Sequence, residues 1–220
     1  MTPLGLFRDR LLSRLSLAQR QSEGGWPLPN LADDQIAQMA QYFDLLRRWN
    51  RVINLTALPL DTLEDQTIDR LFVEPLSAVT LLDRPALGWA DLGSGGGSPA
   101  VPLRIVAPSV VLTMVESKGR KAAFLREVVR ALGLQNIAVV DRRAEAVSPA
   151  EKGQFDLITI RAVRIDTALL EAARHMLKNN GRMLVFAAAA SSSPWVLGFE
   201  VVEKVPLPNS SGSIVVLRAV

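Results

Sequence analysis

Asp91-Leu92-Gly93-Ser94-Gly95-Gly96-Gly97-Ser98-Pro99 stands between an apolar run that begins at Trp89 and a stretch, Pro99–Ala107, with helical patterning. Glycines placed this way let the chain turn sharply and let a ligand lie against bare backbone. The position is the carboxyl end of a strand, where open α/β sheets bind their ligands. The dinucleotide fingerprint G-x-G-x-x-G would need glycine at Ser98; the pattern present is G-x-G-x-G preceded by an acid, Asp91. A nucleotide-type cofactor other than a dinucleotide is implied.

Downstream of the loop, short apolar runs alternate with helical stretches. The expected strands are Trp89–Gly93, Val111–Glu116, Ile137–Asp141, Phe155–Arg161 and Arg182–Ala187, and the expected helices are Pro99–Ala107, Lys118–Leu132 and Asp166–Lys178. Such alternation requires right-handed crossovers and a doubly wound, mainly parallel sheet. Two last runs, Phe199–Val205 and Ser213–Arg218, have Pro206, Pro208, Asn209 and Gly212 between them, so they are expected to pair as an antiparallel hairpin at the sheet edge. A parallel sheet closed by such a hairpin is the α/β arrangement of Class I methyltransferases. The Gly loop likewise resembles the S-adenosyl-L-methionine loop of those enzymes. That cofactor has no pyrophosphate but carries a sulfonium and an amino-acid tail, for which Asp91 is well placed, while Gly93, Gly95 and Gly97 provide backbone approach. Glu116 ends the second strand 23 residues after Gly93, where an acid can accept both ribose hydroxyls. Glu145, just past the third strand, is open between an adenine contact and a plain helix-start acid.

Upstream, residues 1–87 read as an N-terminal helical region packed on a domain of residues 88–220. The first helix, with Arg8, Asp9, Arg10, Arg14 and Arg20 among scattered Leu, lacks the apolar core of a secretory signal and reads as a docking helix. Glu23–Asn30 concentrates Gly and Pro as a linker. A second helix, capped by Asn30 or Asp33, presents Ile36, Met39, Phe43, Leu46 and Trp49 on one face, with Arg47, Arg48 and Arg51 outside. Leu60–Leu82 is helical again, interrupted at Pro75.

Composition narrows the chemistry. The 220 residues contain no Cys and one His, His175, so zinc sites of the usual kind, disulfides, iron–sulfur clusters and Cys nucleophiles are excluded, and no metal is expected. No apolar run reaches the ~18 residues of a membrane span, and a cytoplasmic protein without a membrane partner is expected. Residues 1–88 carry 9 Lys and Arg against 11 Asp and Glu, a net −2; residues 89–220 carry 16 against 11, a net +5. The positive excess thus falls on the domain with the Gly loop. There, Lys118, Arg120, Lys121, Arg126 and Arg130 make a basic helix, with Arg142, Arg143, Arg161 and Arg164 expected nearby; together they read as a surface that tracks phosphates. Aromatic residues are only 5% of the chain, which favours structured RNA held by shape and charge over single strands held by stacking.

The end of the fourth strand discriminates among methylations. Exocyclic amines are usually held by an Asn/Asp-Pro-Pro-aromatic run, and Ile160-Arg161-Ala162-Val163 stands there instead. Methylation of cytosine carbon needs a Cys nucleophile. A ribose hydroxyl needs help with a proton of very high pKa. Guanine N7 needs neither, because its in-plane lone pair carries no proton and proximity and alignment supply most of the catalysis. Arg161 is a candidate for positioning, and no catalytic acid or base is assigned.

Arg48-Trp49-Asn50-Arg51-Val52-Ile53-Asn54-Leu55-Thr56-Ala57, the Gly loop with Pro99 and Pro102, Ser117-Lys118-Gly119-Arg120-Lys121 with Phe124-Leu125, and Arg161-Ala162 together resemble the bacterial 16S ribosomal RNA guanine-N7 methyltransferases, the glucose-inhibited division protein B family, over residues 31–220. The resemblance implies S-adenosylmethionine contacts at Gly93, Ser98, Ala144, Glu145 and Arg161, and N7-methylguanine in the decoding region of 16S RNA, free or in the 30S subunit, as product. RNA contacts are then expected from Arg48, Arg51, Lys118, Arg120, Lys121 and Arg164. Three departures stand out. Arg70-Leu71-Phe72-Val73-Glu74 occupies the stretch where the family carries a His-(two apolar)-Asp-Ser run, Ser98 replaces a large apolar residue, and Ala187–Ala190 replaces a Lys-Gly. They read as divergence within the family; the alternative is an RNA- or ribosome-binding protein that keeps the fold and has lost turnover.

Overall fold

The computed structural model describes residues 3–21, 27–82, 87–146, 151–188 and 198–220. Its elements in chain order are α1 (Pro3–Gln21), α2 (Asp33–Asn50), α3 (Asp65–Ile68), a π-helical turn (Asp69–Val73), α4 (Glu74–Leu76), a 3-10 turn (Val79–Leu82), β1 (Gly88–Leu92), α5 (Ala100–Val106), β2 (Val111–Glu116), α6 (Gly119–Ala131), β3 (Ile137–Asp141), β4 (Phe155–Arg161), α7 (Thr167–Met176), β5 (Leu177–Ala187), β6 (Phe199–Pro206) and β7 (Ser213–Ala219).

The seven strands form one sheet in the order β3-β2-β1-β4-β5-β7-β6. β1 to β5 are parallel, and β7 runs antiparallel to both β5 and β6. The order reverses between β1 and β4, which makes the carboxyl ends of these strands the switch point where open sheets leave a crevice. β2, β3 and β4 occupy the expected residues because each is a short aliphatic run closed by a charged residue. β5 begins five residues before the expected Arg182: Lys178 to Gly181 are polar or Gly, yet they pair on through a register shift against β4 between Phe155 and Leu157.

The helical residues before β1 form no separate core. Phe7, Leu11 and Leu15 of α1, Met39, Tyr42 and Leu46 of α2, and Phe72 of the π turn share one apolar cluster with Trp89, Leu103 and Phe124. α1 is a docking helix in this sense, burying Phe7, Leu11, Leu15 and Ala18. Two expectations need correction. The N-cap of α2 is Ala32 rather than Asn30 or Asp33; its backbone N–H donates to Gln35 Oε1 at 3.0 Å, and Asp33 and Asp34 occupy the first turn, where acids suit the helix dipole. The second concerns residues 60–82, which are not one helix broken at Pro75. The winding widens to the π turn before that proline, where Asp69 accepts from Arg14 and from Asn209 Nδ2. The linker expected at Glu23–Asn30 lies outside the described residues as far as residue 26. None of the described helices is long and apolar enough to cross a membrane.

Candidate functional site

The Gly loop caps β1 and holds its shape by backbone torsions that side chains resist. Gly93, Gly95 and Gly97 take φ of 74°, 51° and 92°. At Gly93 a Cβ would sit 2.4 Å from Val163 Cγ2, and at Gly97 one would sit 2.9 Å from Val101 Cγ2, so packing demands both glycines. Gly95 differs: the nearest atom to a Cβ there is the Gly93 carbonyl oxygen at 3.6 Å, and the space beyond is open. Tyr42, wholly buried on α2, donates its phenolic O–H to the Gly96 carbonyl at 2.6 Å and clamps the loop from the helical side. Burial pushes its own ionisation far above the usual range, so it stays a donor.

Glu116 at the end of β2 accepts from Gly95 N–H and from Lys118 N–H, both at 2.8 Å. It therefore anchors the loop and the entry to α6. A carboxylate offers about four acceptor sites, so each oxygen keeps room for a hydroxyl. Beneath the loop, Asp91 is buried; Oδ1 accepts from Thr159 and Oδ2 has no partner. Burial pushes its carboxyl up to about 6, against the opposing hydrogen bond from Thr159.

Across the sheet, Arg161 at the end of β4 is almost fully buried. Its Nη2 pairs with Glu74, its Nη1 donates to Ser98 Oγ at 3.4 Å, and its guanidinium carbon lies 5.5 Å from the centroid of Phe186. Desolvation lowers its pKa to about 10, opposed by the Glu74 charge, so it remains a cation. Glu74 is completely buried and its Oε2 also pairs with Arg70 at 3.3 Å, while Oε1 has no partner. The next residue after Arg161, Ala162, takes φ of 55°, a left-handed torsion costing roughly 1–2 kcal/mol in a residue with a Cβ. Strain of this kind clusters at functional sites.

These residues surround one cleft of about 590 Å³, whose walls include Gly93, Gly95, Ser98, Glu116, Lys118, Lys121 and Arg161. Its outer wall comes from the helical side: Leu55, Leu58, Arg70 and Leu71. Asn50 shapes that wall, because its Oδ1 accepts from the N–H groups of Leu55 at 2.9 Å and Thr56 at 3.0 Å and folds the segment after α2 back toward the loop. The Trp-Asn…Asn-Leu-Thr run is thus a structural device of the cleft.

Not every expected residue reaches it. Asp91 and Gly97 lie under the loop rather than on the cleft wall. Ala144 is half-buried and Glu145 exposed beyond β3, and neither is part of the wall; Arg142, just after the strand, pairs with Glu151. Among the described basic residues, Lys118, Lys121, Arg70 and Arg161 line the cleft. Arg120 and Arg164 are exposed outside it, and Arg48 and Arg51 are paired within the chain, to Asp44 at 3.1 Å and Asp61 at 2.6 Å. Residues 189 and 190 of the Ala187–Ala190 stretch lie outside the described residues. His175 is an exposed residue in the last turn of α7. Glu74, Arg70, Tyr42 and Thr159 were not legible as site residues. Glu74 and Arg70 bound the stretch Arg70–Glu74 that departs from the resemblance.

The GidB profile, described as rRNA small subunit methyltransferase G, matches residues 35–198. Ribosomal RNA small subunit methyltransferase G of Xylella fastidiosa is 36% identical over 207 residues, covering 89% of this chain and 92% of the relative. The protein of the same description from Stenotrophomonas maltophilia is 39% identical over 148 residues, 66% of each. Among solved structures, a SAM dependent methyltransferase from Aquifex aeolicus superposes with a TM-score of 0.56 at 16% identity, covering 69% of this chain and 92% of that one. A 16S rRNA (adenine(1408)-N(1))-methyltransferase mutant from Catenulisporales acidiphilia reaches 0.50, also at 16% identity, over 66% and 90%. The structural likenesses carry the fold; the sequence relatives carry more.

Proposed function

Because the chain belongs to the rRNA small subunit methyltransferase G family, a family of S-adenosylmethionine-dependent enzymes, we propose that it methylates N7 of a guanine in 16S ribosomal RNA, in the cytoplasm, on the free RNA or the 30S subunit. The supporting observation is the composition of the cleft. Its ionisable lining groups are Arg70, Glu116, Lys118, Lys121 and Arg161, and both oxygens of the one carboxylate are engaged by backbone N–H groups. Such a wall offers cations and no free base among the described residues. An acceptor atom that carries no proton suits it, and N7 of guanine is one.

The residues present fit the cofactor. Glu116 keeps acceptor capacity for ribose hydroxyls, Gly95 leaves open space against bare backbone, and the buried Asp91 carboxyl, with Oδ2 unpartnered, sets negative charge beneath the loop that suits an ammonium group above it. When bound, S-adenosylmethionine supplies a methyl group already activated by its sulfonium. The chain's own part is positioning. Arg161 is fixed by Glu74, Ser98 and Phe186 at the mouth of β4, and Leu55, Leu58 and Val163 provide apolar surface that excludes water from an entering base. Lys118 and Lys121 face the same cleft and meet the backbone phosphates of the RNA.

The test is incubation with labelled cofactor and undermethylated 30S subunits, followed by nucleoside mass spectrometry. Label is expected in 16S RNA as N7-methylguanosine. Label in transfer RNA or a small metabolite would overturn the substrate assignment. A second test addresses the outer RNA surface. Arg120 and Arg126 on α6 are exposed and have no carboxylate partner among the described residues, unlike Arg130, which pairs with Glu127 at 2.8 Å. Substituting both by Gln is expected to weaken RNA binding and flatten the slope of log affinity against log salt by about 1–2. Cofactor affinity, measured by calorimetry, should not move, since neither residue lines the cleft.

A further inference from the structure

Asp91 and Thr159 are register partners on the neighbouring strands β1 and β4. They belong to a buried polar chain: Trp89 Nε1 donates to Thr159 Oγ1 at 2.9 Å, and Thr159 Oγ1 donates to Asp91 Oδ1. Trp89 and Thr159 are both wholly buried and Asp91 is 1% exposed, so no solvent competes. Chemistry fixes the direction of both bonds. The indole N–H is a donor only, so the threonine oxygen must accept from it, and the one hydroxyl proton is left for Asp91. A donor locked in this way favours the ionised form of its carboxyl partner.

We infer that Thr159 is a positioning residue for the cofactor: its hydroxyl, oriented by Trp89, holds Asp91 as a carboxylate directly beneath the Gly loop, and that negative charge holds the ammonium of the cofactor's amino-acid tail on the open face of the loop. The inference rests on the assignment of Asp91 to cofactor binding made above. The groups that act on Asp91 are known from each side. Burial raises its pKa most, the Thr159 hydrogen bond opposes the rise and the Ser94 hydroxyl opposes it less, Glu116 from β2 adds to it and Arg161 from β4 opposes it. Tyr42, from α2, feels the Asp91 charge and is itself neutral. Without the Thr159 hydroxyl, burial is less opposed and the carboxyl holds its proton to higher pH. A protonated Asp91 offers an ammonium no negative charge, so affinity is full above its pKa and falls as the pH drops through it.

Calorimetry with two ligands from about pH 5.5 to about 8.5 tests this. S-adenosylhomocysteine carries the ammonium tail and methylthioadenosine lacks it. For Thr159→Val, S-adenosylhomocysteine is expected to bind about ten- to a hundredfold more weakly at neutral pH. The pH at which its affinity falls should also move upward relative to the unsubstituted protein. Thr159→Ser should restore both, and methylthioadenosine should bind all three proteins alike. Equal loss for both ligands would mean that Thr159 serves the fold and not the tail, which overturns the inference. An unchanged S-adenosylhomocysteine profile in Thr159→Val, with Asp91→Asn impaired, overturns it as well while leaving the site assignment standing. Unchanged affinity in Asp91→Asn would instead remove the assignment and the inference together.

Discussion

Glu74→Leu is expected to lower the unfolding midpoint by roughly 6–20 °C, the consequence of about 3–5 kcal/mol lost when a buried ion pair loses one partner. Glu74 is wholly buried, and a single oxygen, Oε2, holds both Arg161 and Arg70. Arg70 is partly exposed and can turn to water. Arg161 cannot: its side chain is 8% exposed, packed over Phe186 and against the Gly loop through Ser98. Removing Glu74 therefore leaves a guanidinium in a poorly solvated place with only a hydroxyl and an aromatic face for company. The isolated substitution Arg161→Leu leaves the converse, a buried carboxylate with Arg70 as its remaining partner, and should cost less. The double substitution removes both charges and should recover most of the stability, since an apolar pair of similar volume replaces a desolvated ionic one. Thermal unfolding followed by circular dichroism on the three variants decides the matter. A midpoint for Glu74→Leu within about 2 °C of the original would mean that Arg161 finds another partner.

That pair also shows which part of the site the sequence could not display. The strands and the loop were legible because their determinants are local: aliphatic runs such as Ile137–Asp141 specify a strand by themselves, and a string of glycines after one specifies a turn. β2, β3 and β4 accordingly fall on the residues expected for them. Arg161 and Glu116 were legible because each ends such a run. Glu74 was not, because its role depends on a residue 87 positions away, just as Tyr42 meets Gly96 across 54. The π turn at Asp69–Val73 has the same origin. Pro75 announced a break in the helix, but the widening before it accompanies Asp69 contacts to Arg14 and Asn209, from opposite ends of the chain. The position of Glu145, exposed and away from the cleft lining, is of a different kind. The aliphatic run shows where β3 ends, whereas the course of the chain beyond it, where Arg142 pairs with Glu151, is not written in that run. Even the antiparallel hairpin, inferred from prolines and a glycine between two apolar runs, left open which of its strands would join β5; β7 does.

Gly95→Asp separates binding from folding more sharply than any other change in the loop, and its expected result is loss of measurable S-adenosylhomocysteine binding with stability lowered by no more than about 1–2 kcal/mol. The contrast with its neighbours carries the argument. A side chain at Gly93 would drive into Val163 at 2.4 Å and one at Gly97 into Val101 at 2.9 Å, so those substitutions disturb packing and would report on the fold. At Gly95 a Cβ meets nothing closer than 3.6 Å and points into the open cleft. Its φ of 51° lies in the left-handed region, which Asp tolerates better than most residues. The backbone can thus keep its course, including the 2.8 Å bond from Gly95 N–H to Glu116. What changes is the space: a carboxylate then occupies the surface on which the cofactor lies and places a second negative charge beside Glu116, weakening its hold on ribose hydroxyls by crowding and repulsion. Calorimetry paired with thermal unfolding reads the two quantities independently. Retained affinity would show that the open face of Gly95 is not where the cofactor lies, while a collapse of the unfolding midpoint would show that the loop, and not only its surface, depends on the missing side chain.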